Sequence, residues 1–176
     1  AANGEETATL VGQGANRQYV TIDEIPLDLQ HAFVAIEDER FYDHNGIDLH
    51  GIGRAFISGL SKGRFSEGAS TITQQLIKNN VLTSWTSETS FVEKLQRKIQ
   101  EQYLALELEK QVKDKDWILE NYMNSVNLGA NTLGVQAASK KYFNKDVSEL
   151  TLSEASVIAG ITQNPSGYNP ITHPDK

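Results

Sequence analysis

The sequence predicts a mainly α-helical domain, and three observations carry that prediction. Apolar residues recur at helical spacing through most of the chain after residue 25. Ser90 with Glu93, and Thr151 with Glu154, have the three-residue offset at which two side chains satisfy the free N–H groups of a helix start. No strand pattern of any strength follows residue 25, and no internal repeat is visible. The 176 residues fit one domain of common size.

The elements follow in order. Residues 1–23 read as a loose lead-in, rich in Gly, Asn and Glu, with a short strand at 18–22. The folded domain is 24–176. Pro26 suits a first helical turn, and Leu29, Ala32, Phe33 and Ile36 share one face of a helix over 26–40. Asp48 can cap a helix over 49–60. The stretch from Gly51 to Gly68 also holds Gly53, Gly59 and Gly63, interleaved with Ile52, Phe56, Ile57, Leu60 and Phe65. Glycine at that density weakens a helix, so this segment reads as mobile, with apolar side chains exposed. Ser70 caps a helix that reaches Asn80. The longest helix spans 90–112. Asp114 caps the next, over 115–126, and helices over 132–143 and 152–162 follow. Pro165, Pro170 and Pro174 keep the tail extended.

Composition excludes several classes of function. The chain has no cysteine, so disulfides and thiolate metal sites are ruled out. No run of 18 apolar residues is present to span a bilayer. A net charge of −7 argues against nucleic acid as a partner. Within residues 50–80, however, Arg54, Lys62, Arg64 and Lys78 face only Glu67, a basic island fit for local anion capture or simply a solvated loop. The chain begins Ala1-Ala2-Asn3 without a signal segment and reads as a piece of a longer protein.

Glu37 is the first candidate for chemistry. On a helical wheel it lies between Phe33 on one side and Val34 and Phe41 on the other. A partly desolvated carboxyl there is poised for general acid or base work; the alternative is an ion pair with Arg40 or a nearby lysine. Arg97, Glu101, Leu104 and Leu108 stack on one face of the long helix, so the charged pair extends an apolar stripe into a half expected to be buried. Arg97 and Glu101 can satisfy each other at i,i+4 or serve a ligand, and Lys98 adds a charge that this pairing does not use. The run Ser70 to Gln75 is uncharged and dense in hydroxyl and amide groups, which suits sugar hydroxyls as well as it suits an ordinary capped helix. His44 reads as a structural hydrogen-bonder rather than a base. His31, His50 and His173 form no pattern, and no metal-ligand spacing such as His-x-x-x-His occurs.

These residues resemble the glycosyltransferase domain of class A penicillin-binding proteins and of monofunctional peptidoglycan glycosyltransferases, from about residue 24 to 174. Five motifs of that family stand in order. They are Glu37, Asp38, Phe41, His44 and Gly46; then Gly68 to Gln75 with Lys78 and Asn79, where Ala69 replaces the usual second glycine; then Arg97, Lys98 and Glu101. Tyr122-Met123-Asn124 follows, continuing through Gly129, Gly134, Ala137, Ala138, Tyr142 and Phe143; Glu154-Ala155 through Pro165, Tyr168, Asn169 and Pro170 comes last.

The resemblance implies a lysozyme-like helical fold with a large head lobe and a small mobile jaw lobe at about 50–68. It implies polymerisation of lipid II into a β-1,4 glycan, with inversion and release of undecaprenyl pyrophosphate. Glu37 and Glu101 would be catalytic. Asp38, Arg40, Phe41, His44, Ser70, Thr71, Gln74, Gln75, Lys78, Asn79, Arg97, Lys98 and Asn124 would bind substrate. No cofactor is required, and a divalent cation, magnesium or manganese, at the donor pyrophosphate beside Glu101 stays open. The implied partners are lipid II, the lipid-linked glycan strand, the bacterial membrane surface and a C-terminal transpeptidase domain in the parent protein. The implied location is the extracytoplasmic face of the membrane, with the N-terminal anchor helix outside this sequence. A lysozyme-like lytic transglycosylase and a non-catalytic glycan-binding module are the competing readings. The first has no use for Lys78, Arg97 and Lys98, and the second has none for both Glu37 and Glu101.

Overall fold

The computed structural model describes residues 17–62, 70–81 and 90–176, without the side chains of Phe56 and residues 58–62. The expectations for residues 1–16, for Gly63, Phe65, Gly68 and Ala69, and for the side chains of Phe56 and Leu60 lie outside it. The fold is mainly α. Seven α-helices occupy the described residues: α1 (Leu27–Glu37), α2 (Leu49–Lys62), α3 (Ile72–Asn80), α4 (Phe91–Val112), α5 (Lys115–Met123), α6 (Val135–Phe143) and α7 (Leu152–Ile161). Short 3-10 turns at Ile22–Glu24 and Val147–Glu149 and one isolated bridge, Asn127 with Leu133, complete the regular structure.

Two capping boxes form where local spacing placed them. Ser90 Oγ accepts from the Glu93 N–H at 3.1 Å, and the Glu93 carboxylate accepts from the Ser90 N–H. Thr151 and Glu154 do the same for α7. Asp114 caps α5 through the Trp117 N–H at 3.0 Å.

Other boundaries differ from the periodicity, each for a long-range reason. α1 stops at Glu37 rather than at residue 40. Asp38 leaves the helix at φ −159°, and its carboxylate accepts from the Ile72 N–H at 3.0 Å and from His44 Nε2 at 2.9 Å. The cap of α3 is Thr71 and not Ser70, with Thr71 Oγ1 accepting from the Gln74 N–H. The expected strand at 18–22 is absent. Val20 instead gives its N–H to Asn124 Oδ1 and its C=O to Asn124 Nδ2, so residues 17–25 dock on the domain rather than lying loose. That clasp ends α5 at Met123, three residues early. α6 starts at Val135 because Gly134 sits at φ +87°, where an added Cβ would fall 2.7 Å from the Asn124 carbonyl oxygen. α2 runs unbroken through its glycines to Lys62.

The core is built where α1 crosses α7 and where α3 lies between α4 and α5. Leu29, Phe33, Phe41, Ile72, Leu119, Tyr122, Met123 and Ile158 are fully enclosed. Each such side chain contributes about 1.5–3 kcal/mol on burial. Two expectations fail here. Ile36 shares the periodicity of Leu29 and Phe33 yet is 39% exposed, because the end of α1 borders a cleft. On α4 it is Ala105, not Leu104 and Leu108, that is fully buried; the two leucines are half-buried. α2 makes no extended contact with another helix among the described residues, and its Leu49 and Ile57 are 76% and 71% exposed.

Candidate active site

Glu37 is the last residue of α1, and the two helices that reach it come from far along the chain. Its Oε2 accepts from Gln75 Nε2 of α3 at 2.7 Å, and its Oε1 accepts from Gln163 Nε2, just past α7, at 3.1 Å. Gln75 Oε1 in turn accepts from the Tyr122 hydroxyl of α5 at 3.1 Å. No cation among the described residues pairs with Glu37. Arg40, the expected alternative partner, turns to Asp48 and Glu39 instead. Among the described residues the half-buried carboxylate thus meets amide donors and no cation. It lines an open cleft with a water-accessible volume of about 150 Å³, together with Asp38, Glu39, Arg40, Asp48, Arg54, Ser70 and Thr71.

The rest of the first motif holds the cleft wall in place. Phe41 is fully buried, edge-on to Tyr42 and His44, with Lys115 Nζ 4.5 Å above its ring. His44 bridges the buried Asp38 carboxylate and the Gly46 N–H. Gly46 sits at φ +91°, and a Cβ there would fall 2.6 Å from the Ala105 carbonyl oxygen. The Gly46 carbonyl accepts from Thr71 Oγ1 at 2.7 Å, which fixes the start of α3 against the turn. Phe41 and His44 thus act on the cleft through its frame, while Asp38 both lines the cleft and anchors that frame.

Four charges tie α2 to the same wall. Arg40 pairs with Asp48, and Glu39 accepts from both Arg40 and Arg54. The Arg40 guanidinium, with help from the Gly51 N–H, holds the Asp48 carboxyl down at about 2. A depressed carboxyl stabilises the fold above its unfolded value, about pH 4, and that contribution is lost as pH falls through about 2. Asp48→Asn should therefore lower the melting temperature at pH 6, and the gap to the parent chain should close by about pH 2. Thermal scans of both proteins across that range check it; a constant gap would refute the pairing.

The cation cluster lies on α4. Arg97 Nη1 pairs with Glu101 Oε1, and Lys98 Nζ is 3.2 Å from Glu101 Oε2, so the two cations share one carboxylate. Lys98 Nζ also donates to Ser70 Oγ at 2.6 Å and Gln74 Oε1 at 3.3 Å. Ser70 lines the cleft that holds Glu37, so α4 delivers charge to that cleft. Lys78, on α3, is exposed and Asn79 half-buried. Asn124 is not brought to the cleft; its amide is spent on Val20 and Glu120. Both Glu101 oxygens face cation side chains, and no group of three or more His, Asp or Glu among the described residues could hold an ion. The donor set present does not fit a protein-held divalent cation at Glu101.

Gln163 and Asp48 are not singled out as site residues by the sequence, Arg54 is only as part of the basic island, and Tyr122 only as part of a motif. Glu37 and Gln163 are 126 positions apart, and no local pattern joins them.

A family model described as Transglycosylase matches residues 3–176. Penicillin-binding protein 1F of Bacillus subtilis is 47% identical over 174 residues, which is 99% of this chain and 23% of that protein. Penicillin-binding protein 1A of Clostridium botulinum is 48% identical over 167 residues, 92% of this chain and 19% of that protein. Penicillin-binding protein 1A of Neisseria flavescens is 45% identical over 160 residues, again covering 19% of that protein. The chain thus spans about a fifth of the length of the curated relatives it matches.

Proposed function

The chain belongs to the transglycosylase family of peptidoglycan glycosyltransferases, and from that premise we propose that it polymerises lipid II into β-1,4-linked glycan, releasing undecaprenyl pyrophosphate. The observation that supports this most is the pairing of two unlike features on one cleft. Glu37 is a carboxylate without a cation partner among the described residues, and Lys98 brings positive charge to Ser70 on the same wall. In the proposed step Glu37 takes the proton of the acceptor sugar's 4-hydroxyl. That oxygen attacks the donor's anomeric carbon from the face opposite the pyrophosphate, so the centre inverts. The old C–O bond breaks and its electron pair leaves on the pyrophosphate. Arg97, Lys98 and Lys78 would stabilise the charge that grows there, where fixed cations act on the transition state more than on the ground state.

A lytic transglycosylase also needs one carboxyl group, but its leaving group is a sugar and gives the α4 cations nothing to do. The proposal extends to the parent protein, with a membrane anchor before this region and a transpeptidase domain after it, working at the extracytoplasmic membrane face. No helix among the described residues is long and apolar enough to cross a membrane. One assay separates the readings. Labelled lipid II should yield long polymer and purified peptidoglycan should stay intact. Release of fragments, or retention of either substrate without conversion, would overturn the proposal.

A further inference from the structure

We propose that Tyr122 is a positioning residue for Glu37. Its buried hydroxyl donates to the Gln75 carbonyl and so reinforces the amide orientation that gives the carboxylate an N–H donor. This rests on the reading of Glu37 as the base.

The argument starts from what each group can do. An ionised carboxylate only accepts hydrogen bonds. A glutamine amide offers two donors on one end and an acceptor on the other, and a half-turn exchanges them. Gln75 lies with Nε2 2.7 Å from Glu37 Oε2 and Oε1 3.1 Å from the Tyr122 hydroxyl. Since the carbonyl end only accepts, the phenol must donate. The phenol is well placed to do so. Tyr122 is fully enclosed, edge-on to Phe33 at 6.0 Å between ring centres. Burial, with the charges of Glu37 and Asp38 close by, keeps its proton on far above the usual range. The hydroxyl therefore acts as a donor at any working pH. That donation adds to the preference the carboxylate itself imposes for the amide orientation with N–H toward Glu37.

Without the hydroxyl only the carboxylate orients the amide, and the turned state becomes more accessible. In the turned state a carbonyl oxygen faces a carboxylate oxygen, which penalises the charged form. Gln163 Nε2 would remain on the other oxygen at 3.1 Å, so one of two donors would be lost. A donor to the ionised form favours ionisation, and its loss makes the carboxyl hold its proton to higher pH. The base form of Glu37 would then appear later on a rising pH scale.

Tyr122→Phe keeps the ring and its packing and removes the oxygen alone. The measurements are kcat and KM on lipid II from pH 5 to 9, and the titration of the Glu37 side-chain carboxyl by carbon NMR. The expected result is a fall of about 10-fold in kcat near the acidic limb, with KM within about twofold, the scale of one hydrogen bond to a charged group. The acidic limb and the Glu37 titration midpoint should both move up by about one pH unit. Gln75→Met, which removes the amide and leaves Tyr122, should move the midpoint the same way, and it serves if Tyr122→Phe does not fold. A midpoint that stays put in a folded variant overturns the proposal. The NMR midpoint decides this whether or not Glu37 is the base; an active Glu37→Gln protein would sink only that reading.

Discussion

Replacing Glu37 with glutamine is expected to cost roughly two to four orders of magnitude in lipid II polymerisation, the range set by removing a general base. The fold should survive. Glutamine has the same shape, and its carbonyl oxygen can still accept from Gln75 Nε2 or Gln163 Nε2, the two contacts that now hold the side chain. The new amide nitrogen would face a donor, so a modest loss of stability accompanies the change, far smaller than the loss of rate. No ion pair is broken, because no cation among the described residues pairs with Glu37. A large drop in rate with a small drop in melting temperature is therefore a statement about proton transfer and not about structure. Initial rates on labelled lipid II, with thermal unfolding of the same preparation, give both numbers. Polymerisation at the parental rate would remove Glu37 from the mechanism.

What the sequence made legible was the local part of the design. The Ser90 and Thr151 capping boxes close within three residues, so their spacing alone specifies them. Asp114 is readable for the same reason. The misplaced boundaries are those decided at a distance. Asp38 stops α1 early because its carboxylate is claimed by Ile72, 34 residues away, and by His44. Ser70 has the chemistry of a cap, but α3 begins at Ile72, so Thr71 caps it and the Ser70 hydroxyl instead accepts from Lys98 of α4. The glycines of α2 lower helix propensity without ending the helix, since propensity is a weak prior of about 1 kcal/mol per glycine. The site divides along the same line. Glu37, Arg97, Lys98 and Glu101 carry visible chemistry on helical faces. Gln163 and Tyr122 are ordinary residues until the fold places one on the Glu37 carboxylate and the other on its partner Gln75, and the Asn124 amide clasps Val20, a contact no local pattern announces.

Arg97→Ala is the second change expected to act on turnover far more than on stability. Two readings of Arg97 compete. In one it merely pairs with Glu101 one turn along α4, a contact worth a few tenths of a kcal/mol on a helix surface. In the other it stabilises the departing pyrophosphate. The geometry makes the test clean. The Glu101 side chain is only 2% exposed, so stripping it of every cation would leave a buried charge at high cost. Lys98 Nζ remains 3.2 Å from Glu101 Oε2 after Arg97 is removed, and it stays tied to Ser70 and Gln74. Glu101 therefore keeps a cation after this substitution, and the loss of stability through that pair should be small beside the loss of rate. Turnover has no such substitute. Arginine presents a planar fork that matches two phosphate oxygens at once, which a lysine point charge cannot reproduce. Loss of one preorganised stabiliser of that kind costs on the order of 10²-fold in rate. Arg97→Lys should recover part of that loss by restoring charge without the fork. Normal turnover in a folded Arg97→Ala protein would reduce Arg97 to an intrahelical partner of Glu101 and leave Lys98 and Lys78 to meet the leaving group alone.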